Sequence, residues 1–457
     1  MWLKNKIAQY KSYKNGVRHC TFNPDGPGVV RIHLVPPKFK LLGSAPYIVI
    51  LNGYYLLPIG YSWAVLLSAF IDEVNKYDGK AIDDNAEAQI IASTLSSAHS
   101  VYPGISKAEL EEDLYEIINV LFAVARGNDP EIEIERLSIR AYAKNMTAPH
   151  RVDLMISSMT DENGIWKCNQ KCVFCYAGGQ KLAGAKELQS SEWKRIIDKL
   201  WRAGVPMITF TGGEPTLRED LPELVEYARK FVTRLNTNGR NLTPELAKSL
   251  RAAGLDSVQI TLYSYDEKTH NELVGATAFA DTVAGIKNAV HAGLDVSVNT
   301  PLCTSNAEYT KTLELIHSLG VRFATVSGLI CTGMASRKHE HGDLSEDELF
   351  GIVAAAKDFC DKNEMEMDFT SPGLIDADKL RSIGLNVPSC GAALSNMAIS
   401  PDGTAVPCQS WLGESGALGN ILDTDFSDIW NAELCKGLRR VSDTEALGCP
   451  FREGKLR

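Results

Sequence analysis

The chain has 457 residues, of which 44% are hydrophobic and 23% charged, the balance of an ordinary globular protein with roughly two to four domains. Lys and Arg number 47 against 57 Asp and Glu, for a net charge of −10. That acidity argues against a general binder of nucleic-acid phosphates or anionic membranes, and the sequence holds no low-complexity tract or internal repeat.

The first residues lack the basic, apolar and small-residue succession of a secretory signal, which predicts a cytoplasmic protein. Residues 41–71, LLGSAPYIVILNGYYLLPIGYSWAVLLSAFI, carry no charge and imitate a membrane span, which needs about 20 apolar residues in a row. Pro46, Asn52, Gly53, Pro58 and Gly60 interrupt the run. It reads better as two strands, YIVIL and YYLL, joined by an Asn52-Gly53 turn and followed by an amphipathic helix over about 62–76. SKAELEEDLYEIINVLFAVAR predicts a helix capped by Ser106, with apolar residues at helical spacing. GNDPEIEIERL, residues 127–137, reads as a linker and a short strand. Residues 1–127 are thus assigned to an N-terminal α+β domain and 128–149 to a linker.

From 150 to about 345 the pattern turns regular. Short apolar runs, RVDLMISS, PMITFTGG, VTRLNTNG, SVQITLYS, LDVSVNTPL and FATVSGLI, alternate with helical stretches such as SSEWKRIIDKLWRAG and ADTVAGIKNAVHAG. Serial βα units make this an α/β chain with a parallel sheet, open or curled into a partial barrel. Sites in such folds sit at the C-terminal ends of the strands. KCNQKCVFCY follows the first run, TGGEP ends the second and NTNG ends the third, so all three fall at one rim. Residues 346–389 read as a bridging helix region. From Cys390 the texture is strand and turn, with Pro401-Asp402-Gly403 at a turn.

Eleven cysteines, an odd number, argue against a disulfide framework. Cys20, Cys303, Cys331 and Cys360 are scattered and read as small buried hydrophobes. Cys168, Cys172 and Cys175 share one loop at spacings that suit an iron–sulfur cubane. Three thiolates, where a closed cluster takes four, leave one iron open to a ligand. The alternative is a zinc knuckle completed by a distant His or Cys, as in a non-enzymatic zinc-binding adaptor.

Cys-x3-Cys-x2-Cys after the first strand, TGGEPTLR (211–218) on the second, LNTNG on the third and VQITLYSYDEKTHNELVG on the fourth together resemble the radical S-adenosylmethionine (SAM) superfamily. The resemblance implies a partial (β/α)6 TIM-like barrel over 150–345, with a [4Fe-4S] cluster on Cys168, Cys172 and Cys175. In that family the open iron chelates SAM, one electron cleaves the sulfonium, and the 5′-deoxyadenosyl radical takes a substrate hydrogen. It further implies that Phe174 and Tyr176 contact adenine and that Thr261 lies near SAM. Gly212 and Gly213 would admit the ligand close to the backbone, and Glu214 would accept from its ammonium. The bland readings are core packing for the aromatics and a plain tight turn for the glycines. Relatives often carry arginine where this chain has Val274, so a carboxylate partner is not expected there.

CGAALSNMAISPDGTAVPC followed by LGNILDTDFSDIWNAEL resembles the SPASM and twitch auxiliary-cluster extensions. Residues 390–457 are therefore expected to form a cysteine-rich domain with one auxiliary cluster, of the [4Fe-4S] type. The ligands implied are Cys390, Cys408 and Cys449, with Cys435 as a fourth candidate; a zinc site on the same four is the alternative. Enzymes with this extension often modify ribosomally made peptides (RiPP maturases), and many carry an N-terminal winged-helix domain that binds the precursor's leader. A precursor peptide and a reducing partner such as flavodoxin or ferredoxin are the implied partners, with neither nucleic acid nor membrane. A radical SAM enzyme acting on a small metabolite is the second reading.

Overall fold

The computed structural model describes residues 16–22, 30–38, 45–77, 80, 82–128, 137–161, 163–336, 342–444 and 447–451. The strand expected within 127–137 falls on residues largely outside these. The described residues form two compact units: those up to His150 together with Leu200–Pro206, and Arg151–Lys199 together with Met207 onward.

The first unit is built on an antiparallel sheet in the order β1 (Arg18–Phe22), β2 (Val30–Val35), β3 (Tyr47–Leu51), β4 (Tyr55–Ile59). Asn52 and Gly53, both at positive φ, make the β3–β4 turn, and Asn52 Oδ1 accepts from Arg31 N at 2.7 Å. Three helices follow: α1 (Tyr61–Val74), α2 (Asp84–Val101) and α3 (Lys107–Ala125). Ser106 caps α3 in a reciprocal pair with Glu109. One face of the sheet, through Ile32, Leu34 and Val49, packs on Leu67, Phe70 and Leu114 of the helices. The other, through Ile48, Ile50 and Leu56, packs on Tyr142 and Met146, at and just beyond α4 (Ile139–Asn145). Both faces are covered, so all five residues of β3 are buried and the polar alternation of a one-sided strand is missing. Over its described residues, 45–71, the uncharged run is explained by this packing. No helix among the described residues is long and apolar enough to cross a membrane.

The second unit carries β5 (Arg151–Ser157), β6 (Met207–Gly212), β7 (Val232–Thr237), β8 (Ser257–Thr261), β9 (Asp295–Pro301) and β10 (Phe323–Ser327), all parallel in sequential order. The helices among them are α5 (Ser190–Ala203), α6 (Leu221–Tyr227), α7 (Pro244–Ala253), α8 (Glu267–Val274), α9 (Phe279–His291) and α10 (Tyr309–Ser318). The sheet runs further than the six expected strands. Helix α11 (Glu346–Lys362) leads into β11 (Glu366–Phe369), which pairs parallel with β10 as a seventh unit. At the opposite edge β12 (Asn396–Ile399) pairs parallel with β5, and β13 (Thr404–Val406) and β14 (Gly419–Asn420) continue it antiparallel. The C-terminal cysteine region therefore grows out of the barrel's own sheet. It is completed by α12 (Ala377–Ser382), α13 (Phe426–Asn431) and α14 (Glu433–Thr444).

Helix α8 holds a buried imidazole. His270 is fully buried, and its Nδ1 accepts from Tyr263 N at 3.3 Å. Burial lowers its pKa from 6.5 to about 4. A depressed histidine contributes stability that is complete above its unfolded pKa and lost as pH falls toward the folded one. Between pH 7.5 and 5 this group is expected to cost about 2 kcal/mol of stability. Urea titrations of His270→Gln should show the pH-dependent loss reduced by about that amount.

Candidate active site

The cysteine loop leaves β5 and runs along the end of α8, where Lys171 N donates to Val274 O and Val173 N to Leu273 O, each at 2.9 Å. Gly275 ends α8 in the left-handed region, and a Cβ there would stand 2.5 Å from Lys171 O. Cys175 N turns back to Cys172 O at 3.2 Å. The Cys168 thiol points at Gly213 O, 3.3 Å away, and Gly178 N donates to Cys175 Sγ at 3.2 Å. Burial pushes the Cys168 thiol up to about 12, Cys172 well above its usual value, and Cys175 up. Cys172 also feels the charge of both other sulfurs. Three sulfurs this close in a half-dry loop become thiolates together only with a bound cationic group to hold the charge. Among the described residues no three His, Cys, Asp or Glu side chains converge on one metal ion. A cubane spreads its irons over separate corners, so this donor set suits a polynuclear group better than a single zinc.

The second strand's tip is fixed by protein contacts. A Cβ on Gly212 would lie 2.3 Å from Ser157 O, and one on Gly213 2.7 Å from Ser158 O. Both glycines are thus required for the tips of β5 and β6 to meet, whatever a ligand needs. Glu214 is buried, and its Oε1 accepts from Thr216 N, Thr216 Oγ1 and Thr237 Oγ1 while Oε2 accepts from Asn238 N at 2.8 Å. Burial raises its pKa against the pull of these bonds. Asn238 Nδ2 in turn donates to Asn169 Oδ1 at 2.6 Å, inside the cysteine loop. The carboxylate therefore staples β6 to β7 and, through Asn238, steadies the loop of Cys168. Its Oε1 is saturated, and Oε2 keeps a lone pair for a further donor. Glu214→Gln would set an amide N–H against buried donors, at a cost of about 1–3 kcal/mol. SAM affinity by calorimetry is expected to fall with iron content retained; unchanged affinity would limit Glu214 to the staple.

The remaining expected residues separate. Phe174 is buried with Tyr263, Leu273 and Val274, in the packing of α8 against the loop. Val274 is itself in that core, so no cation reaches the site from its position. Tyr176 turns its hydroxyl to Gln409 Oε1 at 3.2 Å. Thr261 ends β8 in register with Asn299. The barrel's inner face holds polar residues that the sequence reading missed. Gln259 Nε2 donates to Thr325 Oγ1 at 2.9 Å, and Thr325 Oγ1 to Asn299 Oδ1 at 3.0 Å. Arg234 reaches Ser297 at 3.3 Å; burial and Arg151 lower its pKa to about 10 against the pull of Asp153 and Asp295. Arg151 Nε is 2.9 Å from Asp153 Oδ1. The signal that could have found them was there: polar residues at alternate positions of otherwise apolar strands.

Of the four C-terminal cysteines, three are linked electrostatically. Burial pushes the Cys408 thiol up to about 12, and Cys390 and Cys449 act on it electrostatically. Cys390 Sγ lies 3.9 Å from the buried Ser442 Oγ. Cys435 is fully buried on α14, where its Sγ meets Arg439 Nη2 at 3.6 Å. No disulfide forms among the described cysteines.

Comparison with known proteins agrees with this geometry. Residues 167–316 match the model of the radical SAM superfamily, and residues 390–450 match SPASM, an iron–sulfur cluster-binding domain. The chain is 30% identical over 292 residues to the AdoMet-dependent heme synthase of Methanosarcina barkeri, covering 60% of this chain and 82% of that one. It is 28% identical over 292 residues to the mycofactocin maturase MftC of Mycolicibacterium smegmatis, covering 62% and 72%. Its fold is similar to that of Streptococcus suis SuiB bound to the precursor peptide SuiA, with a TM-score of 0.60 at 15% identity over 90% of this chain and 93% of the other. With three cysteines on the loop at the rim of a parallel barrel and a cysteine module continuing its sheet, the chain belongs to the radical SAM superfamily as a SPASM-bearing enzyme, a family that implies a SAM-binding [4Fe-4S] cluster and auxiliary iron–sulfur binding.

Proposed function

We propose that this enzyme modifies a ribosomally made precursor peptide, forming a crosslink, a thioether or another product at a C–H bond. The observation that carries this reading is the fold likeness to peptide-bound SuiB over nine-tenths of the chain, first unit included. The barrel interior favours it over a multiply anionic metabolite. The cations on the inner face of β5–β11 are Arg151 and Arg234, and each stands beside acids, Asp153 and Asp295. A substrate with several negative charges would find no uncommitted cation on those strands, whereas polar Gln259, Asn299 and Thr325 suit an uncharged peptide segment.

When bound, the cluster on Cys168, Cys172 and Cys175 supplies the electron that cleaves SAM to a 5′-deoxyadenosyl radical. The chain's part is to hold that loop against Gly213 and Asn238 and to keep water from the rim with Phe174 and its apolar neighbours. Residues 1–127 would recognise the leader by adding it as a strand to the sheet edge at β1. Residues 128–149, whose α4 packs on the first unit's sheet, would then connect it to 150–345 as the radical barrel, with 346–389 as the bridge and 390–457 as the auxiliary-cluster domain. The setting is cytoplasmic, with flavodoxin or ferredoxin as reductant.

The test is anaerobic turnover with SAM, a reductant and any small peptide found encoded beside the gene, read by mass spectrometry. A peptide mass change coupled to 5′-deoxyadenosine, with amide protection gained at Arg18–Phe22, is expected. Deoxyadenosine formed at the same rate without any change to the peptide would overturn the substrate assignment.

A further inference from the structure

Two stretches of chain that carry the two cysteine groups are tied together by side chains that neither group requires as ligands. Tyr176 follows Cys175, and Gln409 follows Cys408. The Tyr176 phenol donates to Gln409 Oε1 at 3.2 Å and shares a hydrogen bond with Thr211 of β6. Its ring packs with Met155, Ala398 and Leu412. Gln180 sets the spacing of the two segments: its Nε2 donates to Tyr176 O at 2.6 Å and Ser410 O at 2.9 Å, and its Oε1 accepts from Leu412 N at 2.9 Å. Leu182 N adds a backbone bond to Leu412 O at 2.9 Å.

A part-buried phenol gains from a hydrogen-bond partner, and Thr211 already offers one. The second partner is a side chain adjacent to a cysteine of the other group. From the Cys175 sulfur the route runs through covalent bonds to the Tyr176 hydroxyl, crosses one hydrogen bond, and runs through covalent bonds again to the Cys408 sulfur. Electronic coupling decays more slowly along bonds than across space, so a route with a single hydrogen-bonded step is a favoured one. We propose that Tyr176 and Gln409 form the electron path between the SAM-binding cluster and the auxiliary cluster.

The electron count gives the path a use in any reaction that joins the substrate carbon to a nucleophile, as in the proposed function. SAM takes one electron and splits into methionine and the 5′-deoxyadenosyl radical. That radical takes a hydrogen atom from a substrate C–H bond, giving 5′-deoxyadenosine and a carbon radical. Joining the carbon to a nucleophile releases one proton and one electron. The electron enters at the auxiliary cluster and returns through Gln409 and Tyr176, so SAM is the net oxidant and no further one is needed. The phenol acts as a hydrogen-bonded bridge and is itself neither oxidised nor reduced.

The experiment uses the full-length enzyme loaded with both clusters. Electrons are delivered by flash photoreduction of a deazaflavin, and electron equilibration between the clusters is followed, with iron content and both midpoint potentials measured alongside. Tyr176→Phe keeps the ring and removes the hydroxyl; Gln409→Leu removes the acceptor without touching the Cys175 loop. Loss of the fast equilibration phase in both, with iron and potentials unchanged and the phase restored in Gln409→Glu, is the expected result. A fast phase retained in either variant overturns the path. Loss of a cluster in both would show a brace in place of a conductor and overturns it equally.

Discussion

Replacing Cys168, Cys172 and Cys175 together by alanine is expected to abolish 5′-deoxyadenosine formation from SAM and to remove the iron of one cluster while leaving that of the C-terminal group. The effect is total because of how these thiols are placed. Each is half-buried, and burial alone keeps it protonated and a poor ligand. They ionise only as a set, around a cationic group that repays the desolvation of all three. The loop has no substitute donors: the Gln170 Oε1 beside Cys172 and the Gly213 carbonyl beside Cys168 are hard oxygens, unsuited to this soft site. The loop should stay folded in the variant, because its backbone is held by the Leu273 and Val274 carbonyls and its Asn169 side chain by Asn238, none of which the substitutions touch. Chromatography of the nucleoside product and iron analysis check this. Deoxyadenosine formation surviving in the triple variant would contradict the site assignment.

The sequence exposes what is local and hides what is not. Each of the six barrel strands is a short apolar run between helical stretches, and the cysteine loop, the glycine pair and NTNG follow such runs, so the rim could be read directly. The seventh strand, EMDF, alternates acid and apolar residues over four positions and looks like a loop. The pairing of β12 with β5 joins residues far apart in the chain, and no local pattern announces such a contact. Helix α2 escaped because its buried stripe is Ala86, Ile90, Thr94 and Ala98, four-residue spacing with little apolar bulk to reveal it. In the site, residue types point to a chemistry, but their partners do not follow from the sequence. Glu214 was read as a ligand for an ammonium, and the fold commits three of its bonds to Thr216 and Thr237 and a fourth to Asn238. The resemblance implies Tyr176 as an adenine contact, and the fold gives its hydroxyl a partner, Gln409, more than two hundred positions away that no local pattern announces.

Cys435→Ala is expected to leave the auxiliary cluster in place, whereas Cys390→Ala, Cys408→Ala or Cys449→Ala should each lose it. The Cys408 thiol feels Cys390 and Cys449, and the Cys435 thiol feels Arg439 alone. Arg439 holds Cys435 there: its guanidinium donates to Trp430 O at 2.7 Å and to Ala393 O at 3.0 Å, and lies 3.5 Å above the Trp430 ring. Moving the thiol to a cluster would leave a buried guanidinium short of a partner, a loss of about 1–3 kcal/mol. The substitution therefore costs packing on α14, and a lowered melting temperature with unchanged iron is the signature. Iron content and the electron paramagnetic resonance spectrum should be recorded in the Cys168, Cys172 and Cys175 triple-alanine background, where only the C-terminal iron remains. Held by three protein thiolates, the auxiliary cluster would keep one iron open to a donor from the substrate, which under the proposed function would be a cysteine of the precursor. Adding the peptide should then shift the spectrum in wild type and in Cys435→Ala alike. Loss of the auxiliary iron in Cys435→Ala would make that cysteine the fourth ligand and reduce the cluster to structure and electron transfer.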